Sequence, residues 1–259
     1  MTGPARHVPR VWVPAGAPGG EVSLRPEDAA HLSRTLRLAP GAAVEGFDGE
    51  GRLYRGVLAS LSPAGGRLRV TAVAGAPPPA GPRVSAGLAV VRLELMDLAV
   101  RMAVELGCER FVPLLAGRTS LREAEAQARR RLERWERIAL ESLKQCRRLH
   151  RMTLAPPLPA RAWFAASTAD LRWFFHPGDP VPGGEPRPGR PPATGGTVRT
   201  LDLAVGPEGG WTEAEAAEAR AAGFAALHPW PHVLRAETAL VAALSLALAR
   251  PPEGGGDPA

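Results

Sequence analysis

Short apolar runs with partial alternation fill the first third of the chain. Arg10-Val-Trp-Val13, Ala43-Val-Glu-Gly-Phe47, Leu53-Tyr-Arg-Gly-Val-Leu58 and Arg67-Leu-Arg-Val-Thr-Ala-Val73 are separated by Pro and Gly turns. That spacing predicts short strands, with one helix from 26 to about 37 between them. Residues 1–76 therefore read as a small β-barrel domain. The stretch Gly75-Ala-Pro-Pro-Pro-Ala-Gly-Pro82 reads as a stiff linker at a domain boundary.

From Val84 onward the pattern becomes strands alternating with helices, the signature of a mostly parallel sheet in an α/β domain over 83–250. Strands are predicted at 84–91, 111–115, 171–175, 199–205 and 225–228. A helix over 93–106 should close at Gly107, a glycine placed as a helix C-cap. A long helix from 121 to about 147 carries Leu121, Ala128, Leu132, Trp135, Ala139 and Ser142 on one stripe. Further helices are predicted over 212–222 and 238–249. Residues 177–199 are dominated by Pro and Gly and read as a flexible loop, and 251–259 as a loose tail.

Composition narrows the classes without choosing among them. At 259 residues with 45% hydrophobic positions, the chain can build one large or two modest cores. Cys108 and Cys146 have neither metal-ligand spacing nor disulfide density. No apolar run of about 18 residues is free of charge, and no signal peptide is visible, so a cytoplasmic protein without membrane or metal partners is expected. The net charge of +6 is concentrated: 118–151 holds 11 basic residues against 5 acids. Such a face suits an anionic polymer, although Glu–Arg pairs at helical spacing on a solvated helix would look the same.

Candidate chemistry lies near the end of the chain. Leu203-Ala-Val-Gly-Pro-Glu-Gly-Gly-Trp211 reads as strand, glycine-proline turn and helix start, with Thr212 and Glu215 at capping-box spacing. The turn matches neither the dinucleotide fingerprint nor the P-loop, because the spacing differs and no Lys-Ser/Thr follows. Taken alone it could be only a tight strand-to-helix connection. A second segment, Leu234-Arg-Ala-Glu-Thr-Ala-Leu240, ends a loop and opens an apolar helix. Two backbone-rich turns of this kind can hold a small polar ligand between them.

The pair of segments resembles the cofactor-binding end of the SPOUT methyltransferases, in the form found in the ribosomal RNA small subunit methyltransferase E family. Upstream, His31-Leu-Ser-Arg-Thr-Leu-Arg-Leu38 and Phe47-Asp-Gly-Glu-Gly51 are similar to that family's N-terminal domain. Glu105-Leu-Gly-Cys-Glu-Arg-Phe-Val-Pro113 with Arg118, and Gln145-Cys-Arg-Arg148, are similar to its middle segments. The resemblance implies an α/β fold with a trefoil-knotted SPOUT domain behind a PUA-like, RNA-binding barrel. It also implies a homodimer, S-adenosyl-L-methionine as cofactor, and methylation of N3 of a uridine in 16S rRNA, in the assembled small subunit. Another SPOUT rRNA methylation, on the ribose 2′-oxygen or another base, and a knotted RNA-binding protein without catalysis are the alternatives. The chain departs from the family pattern at Met102 and His232, where basic residues are common, at Arg92, where lysine is usual, and near Met152, where a proline is usual.

Carried over residue by residue, the resemblance assigns cofactor contacts to Leu203, Val205, Gly206, Pro207, Glu208, Gly209, Gly210, Leu227, Leu234, Arg235, Ala236, Thr238 and Ala239. Uracil N3 must lose its proton during methyl transfer, so charge builds on the base carbonyl oxygens. Arg118, Arg148 and Arg235, as permanently cationic planar donors, are the candidate stabilisers. Glu237 is a candidate proton acceptor, or equally a carboxylate that stabilises a helix N-terminus. RNA contacts are expected from Arg10, Arg34, Arg37, Arg118, Arg122 and Arg148.

Overall fold

The computed structural model describes residues 8–14, 20–79, 81–117, 121–176, 198–228, 230 and 232–248, with the side chains of 121 and 122 excepted. The chain divides into two compact units: Met1–Pro79 with Leu140–Arg151, and Ala80–Ala139 with Met152–Ala259.

In the first unit, β1 (Arg10–Trp12), β2 (Gly20–Ser23), β3 (Ala43–Phe47), β4 (Arg52–Ser62) and β5 (Gly65–Gly75) form one sheet in the order β1-β3-β4-β5-β2. Among the described residues, β1 and β2 stand at the two ends of that order. β1 runs parallel to β3 and the other pairs are antiparallel. The strand β2 escapes a sequence reading because Val22 is its one apolar residue. Helix α1 (Pro26–Ala30) opens on a proline at its first turn and passes into a π-helical turn over His31–Thr35, where a single longer helix was expected. Val11, Val13, Val44, Tyr54, Leu58 and Leu68 pack with Ala29 and Leu32 as the core of this unit.

Residues 140–151 belong to this unit although they lie far from it in sequence, and buried charge accounts for the attachment. Asp28 is buried and accepts from Lys144 Nζ at 2.5 Å and from Arg25 Nε at 3.0 Å. Glu45 is likewise buried and is met by Arg10 at 3.0 Å and Arg147 at 2.7 Å. Arg10 lies directly across from Glu45 in the β1/β3 register, so the sheet itself builds half of that cluster. Carboxylates this far from water persist only with such partners.

The second unit is a parallel sheet. Its strands are β6 (Arg83–Ala89), β7 (Arg110–Leu115), β8 (Thr153–Leu154), β9 (Leu158–Pro159), β10 (Leu171–Phe175), β11 (Thr200–Val205) and β12 (Ala225–Leu227). Their order is β12-β10-β11-β6-β7-β8, with β9 also on β7. Helix α2 (Leu93–Leu106) links β6 to β7 and ends at Gly107 in the left-handed region, φ 97°, as the C-cap reading anticipated. Helix α3 (Leu121–Cys146) follows, and Asp97 of α2 accepts from Trp135 Nε1 at 2.9 Å and Arg134 Nε at 2.8 Å. Helices α4 (Ala160–Ala166), α5 (Glu213–Ala221) and α6 (Ala236–Leu248) complete the unit. Strand β10 is buried at four of its five positions, the near-continuous burial of a strand covered on both faces. The pieces β8, β9 and α4 are too short to show a period and were not anticipated. The segment expected as a flexible loop, 177–199, lies outside the described residues up to 197, and so does the 251–259 tail.

Asp170, just before β10, accepts from the backbone N–H groups of Arg199 and Thr200 at 2.8 and 2.9 Å. These bonds, the one from Arg199 first, hold its carboxyl below the ordinary aspartate range. A depressed carboxylate stabilises fully above its unfolded pKa, and that contribution disappears as pH falls through the folded value. Replacing Asp170 with Ala is expected to lower Tm near neutral pH and to converge with the parent protein in acid. Parallel melting curves that keep a constant offset across pH would contradict this.

Candidate functional site

Strands β10, β11 and β12 end together. In their parallel registers Phe175 sits opposite both Val205 and Leu227, so three adjacent strands release the chain at one level. Open parallel sheets bind ligands beyond the carboxyl ends of such strands. Here the space is an open-mouthed cleft lined by Phe175, His176, Val205, Gly206, Pro207, Glu208, Gly210, Leu227, His228, Trp230, His232, Val233, Leu234, Ala236 and Ala239.

The turn after β11 is held from below. Gly210 N–H donates to the Pro207 carbonyl at 2.8 Å, closing a four-residue turn, and Gly210 takes φ 71°, a conformation costly for other residues. Trp211 is 1% exposed, and its Nε1 donates to the Phe175 carbonyl at 3.1 Å, tying the turn to the end of β10. A Cβ on Gly206 would come within 3.2 Å of the Trp211 ring, so glycine there lets ring and turn stack closely. Next comes α5, opened by the predicted capping box: Glu215 N–H donates to Thr212 Oγ1 at 3.2 Å, and Thr212 N–H to Glu215 Oε2 at 2.9 Å. Glu215 Oε1 also accepts from Gly117 N–H at 2.7 Å, which fixes the loop after β7. Thr212→Ala should cost about 1 kcal/mol, read as a lower midpoint in urea, with α5 otherwise intact.

The opposite wall is the start of α6, where the Arg235 carbonyl accepts from Ala239 N–H at 2.8 Å. Leu234, Ala236 and Ala239 face the cleft, two of them small enough to leave it open. The cleft is apolar at its strand ends and polar at Glu208, His176, His228 and His232. Aromatic rings flank it: Trp230 stacks on Phe175 with centroids 5.4 Å apart, and His176 lies over Phe174 at 6.0 Å and 19°.

Of the residues assigned from sequence to a cofactor, Val205, Gly206, Pro207, Glu208, Gly210, Leu227, Leu234, Ala236 and Ala239 come together in this cleft. The others do not line it. Leu203 is fully buried in β11, between Trp173 and Ala86, and is core. Gly209, Arg235 and Thr238 are exposed beside the lining. Glu237 is buried at the first turn of α6, and its Oε2 has no hydrogen-bond partner among the described residues.

The arginines separate into different situations. Arg10 is corrected outright: its side chain is 7% exposed and spent on Glu45 and the Arg147 carbonyl, so it is a structural ion-pair residue, not an open phosphate contact. Arg34 and Arg37 are exposed, with Arg37 at φ 51°, and Arg148 is half-buried in the first unit. Arg118 and the Arg122 side chain lie outside the described residues. On α3, Arg129 pairs with Glu125 and Arg134 with Asp97, so part of the basic run is neutralised locally.

The sequence reading missed Phe175, His176, His228, Trp230, His232 and Val233 as site residues. Each follows or ends a predicted strand, or precedes the Leu234 segment, and the common level of strand ends was the signal that could have found them. Among the described residues, no cluster of three His, Cys, Asp or Glu side chains could hold a metal, and no helix is long and apolar enough to cross a membrane.

The model of the RNA methyltransferase domain matches residues 79–248, which include the whole cleft. Ribosomal RNA small subunit methyltransferase E of Synechocystis is 30% identical over 228 residues, covering 86% of this chain and 71% of the relative. The protein of that name from Aquifex aeolicus is 32% identical over 157 residues, 60% of this chain and 63% of the relative, so the match spans under two thirds of its length. Among solved structures, ribosomal RNA small subunit methyltransferase E of Neisseria gonorrhoeae bound to S-adenosyl methionine superposes with TM-score 0.79. It is 24% identical, and 92% of this chain and 96% of that one are covered, a likeness of fold. The chain belongs to the RNA methyltransferases, within the ribosomal RNA small subunit methyltransferase E family.

Proposed function

We propose that this protein transfers a methyl group from S-adenosyl-L-methionine to N3 of a uridine in small-subunit ribosomal RNA, acting on the assembled subunit as a homodimer with a trefoil-knotted catalytic domain. One observation carries most of the reading: eight of the residues assigned to the cofactor from two separate sequence segments, with Leu227 between them, line one cleft at the carboxyl ends of three parallel strands.

The cleft fits the cofactor chemically. Val205, Leu227, Leu234 and Ala239 offer an apolar surface to a purine, the turn over 206–210 presents main-chain groups, and the Glu208 carboxylate complements a cationic centre. When bound, the cofactor supplies an electrophilic methyl group on a sulfonium sulfur. The chain supplies the rest. The turn and the start of α6 fix the direction of approach, an entropic contribution. Arg235, exposed next to Leu234 and Ala236, stabilises the negative charge that spreads over the uracil oxygens as N3 is deprotonated. Glu237, whose buried Oε2 has no hydrogen-bond partner among the described residues, is the proposed proton acceptor. Arg118 and Arg148 keep the charge-stabilising and RNA-contact roles that the resemblance implies, with Arg34, Arg37 and Arg122 as phosphate contacts.

The test incubates the protein with labelled S-adenosylmethionine and small subunits lacking the modification, then analyses the nucleosides. Labelled 3-methyluridine is the expected product. A 2′-O-methylated nucleoside or another methylated base would replace the substrate assignment, and no incorporation alongside no cofactor binding would end the enzymatic reading. A light-scattering mass near twice 27.3 kDa tests the dimer.

A further inference from the structure

With Arg10 spent on Glu45, the exposed cations of the first unit lie elsewhere, and two of them stand in line on β5. Arg67 and Arg69 alternate with the buried Leu68, so both point away from the core. Their side chains are 61% and 60% exposed, and a single carboxylate, that of Glu21, lies 3.6 Å from each. That distance is too long for a hydrogen bond, so two guanidinium groups share one counter-charge without being held by it. The sheet brings hydroxyls to the same place. In the β2/β5 and β4/β5 registers, Ser23 and Ser60 both lie opposite Arg67, one on each side of it. Residues directly opposite one another share a face, so a guanidinium stands between two hydroxyls. Ser60 owes its place to a bulge: the register of β4 on β5 shifts between Leu58 and Ser60, and Ala59 drops out of the pairing. An unbroken ladder would set the Ala59 methyl opposite Arg67, and the bulge sets a hydroxyl there instead. Gly66 permits it, since a Cβ at that position would come within 2.8 Å of the Ser60 carbonyl. The Ser23 and Ser60 hydroxyls are committed to no hydrogen bond among the described residues, whereas Ser62 Oγ donates to the Gly65 carbonyl in the adjoining turn. An open pocket lies over this row, lined by Ser23, Ser60, Ser62, Gly65, Gly66 and Arg67.

We infer that the Ser23–Arg67–Ser60 row, continued by Arg69, is a contact for the phosphodiester backbone of RNA; the inference rests on the proposed function only for the identity of the polymer. The guanidinium and both hydroxyls can donate to one site, which matches an anionic oxygen with several lone pairs. Arg67 and Arg69 are roughly 7 Å apart along the strand. Two cations in line form a track rather than a point, which suits a chain of phosphates better than a single anion. The pocket lining has no aromatic or carboxamide side chain to read a base, so the contact adds affinity and register rather than sequence choice. Glu21 is the opposing charge, and the contact forms against it.

Binding of polyuridylate to the full chain, titrated over a range of salt, tests the contact without requiring methyl transfer. Arg67→Ala is expected to weaken binding about fivefold, the upper end for an exposed ion pair, and to lower the salt slope by about 0.7, the value of one single-strand phosphate. The double variant Ser23→Ala with Ser60→Ala should weaken binding about threefold and leave the slope unchanged, because no charge is removed. Glu21→Gln should tighten binding, since it releases both arginines from their shared carboxylate. Thermal melting checks that each variant is folded. Affinity and slope unchanged in Arg67→Ala would overturn the contact, as would a Glu21→Gln protein that binds more weakly. Equal displacement of polyuridylate by polyglutamate would replace RNA with an acidic protein segment. Equal displacement by inorganic phosphate at the same ionic strength would reduce the site to a pocket for small anions. A parent protein that binds polyuridylate but methylates no small subunit would remove the substrate assignment and leave this contact standing, while one that binds no polyuridylate would end the contact itself.

Discussion

An Ala239→Phe variant should lose S-adenosylmethionine binding by at least about a hundredfold, some 2.7 kcal/mol of binding free energy. Ala239 is on the first turn and a half of α6, is 8% exposed, and faces the cleft opposite the Pro207–Gly210 turn. A benzyl group there occupies space the ligand needs, and the helix cannot retreat because it packs on α2 and β6. The neighbouring substitution Thr238→Phe is the control, since Thr238 is exposed and outside the lining. It should leave affinity within about twofold. Calorimetric titration of both variants decides the matter, and an Ala239→Phe protein that binds normally would place the cofactor elsewhere.

The second large effect is on stability. Trp211→Ala is expected to cost about 3–5 kcal/mol in equilibrium urea unfolding, the range for removing a fully buried aromatic. Its ring meets Phe164 edge-on at 5.6 Å and closes over Gly206, and its Nε1 holds the Phe175 carbonyl. Trp211→Phe keeps most of the apolar volume and loses the hydrogen bond, so about 1–2 kcal/mol is expected. Because the same residue braces the turn against β10, the Ala variant should also bind cofactor more weakly than its loss of stability explains. A cost below about 1 kcal/mol would mean that the side chain is replaceable packing.

Much of the parallel unit was legible because its elements are long enough to show a period. Strand 171–175 and helix 93–106 fall where the pattern puts them, and the glycine at 107 ends the helix by a conformation only glycine adopts cheaply. The capping box at Thr212 is a local rule and was read locally. Failures have equally physical causes. Helix α6 begins at Ala236, two residues before the apolar pattern suggested, because the Arg235 carbonyl starts the hydrogen bonding and no cap residue announces it. Arg10 looked like a surface cation, but its partner Glu45 sits 35 residues away, opposite it in a parallel pair that no linear pattern encodes. His176 and Trp230 joined the cleft for the same reason: the register of three strands decides which residues meet.

The attachment of 140–151 to the first unit sets a clock on how the protein is made. Asp28 and Glu45 emerge from the ribosome early with Arg25 and Arg10, yet Lys144 and Arg147, which complete their ion-pair clusters, come after more than half the chain. At roughly 5–20 residues per second, the interval between residues 79 and 151 is on the order of 4–14 s. Through that time each carboxylate has only its local partner, Arg25 for Asp28 and Arg10 for Glu45. The first part synthesised is thus unable to be the first part finished, and a fragment ended at residue 79 would keep that incomplete state permanently.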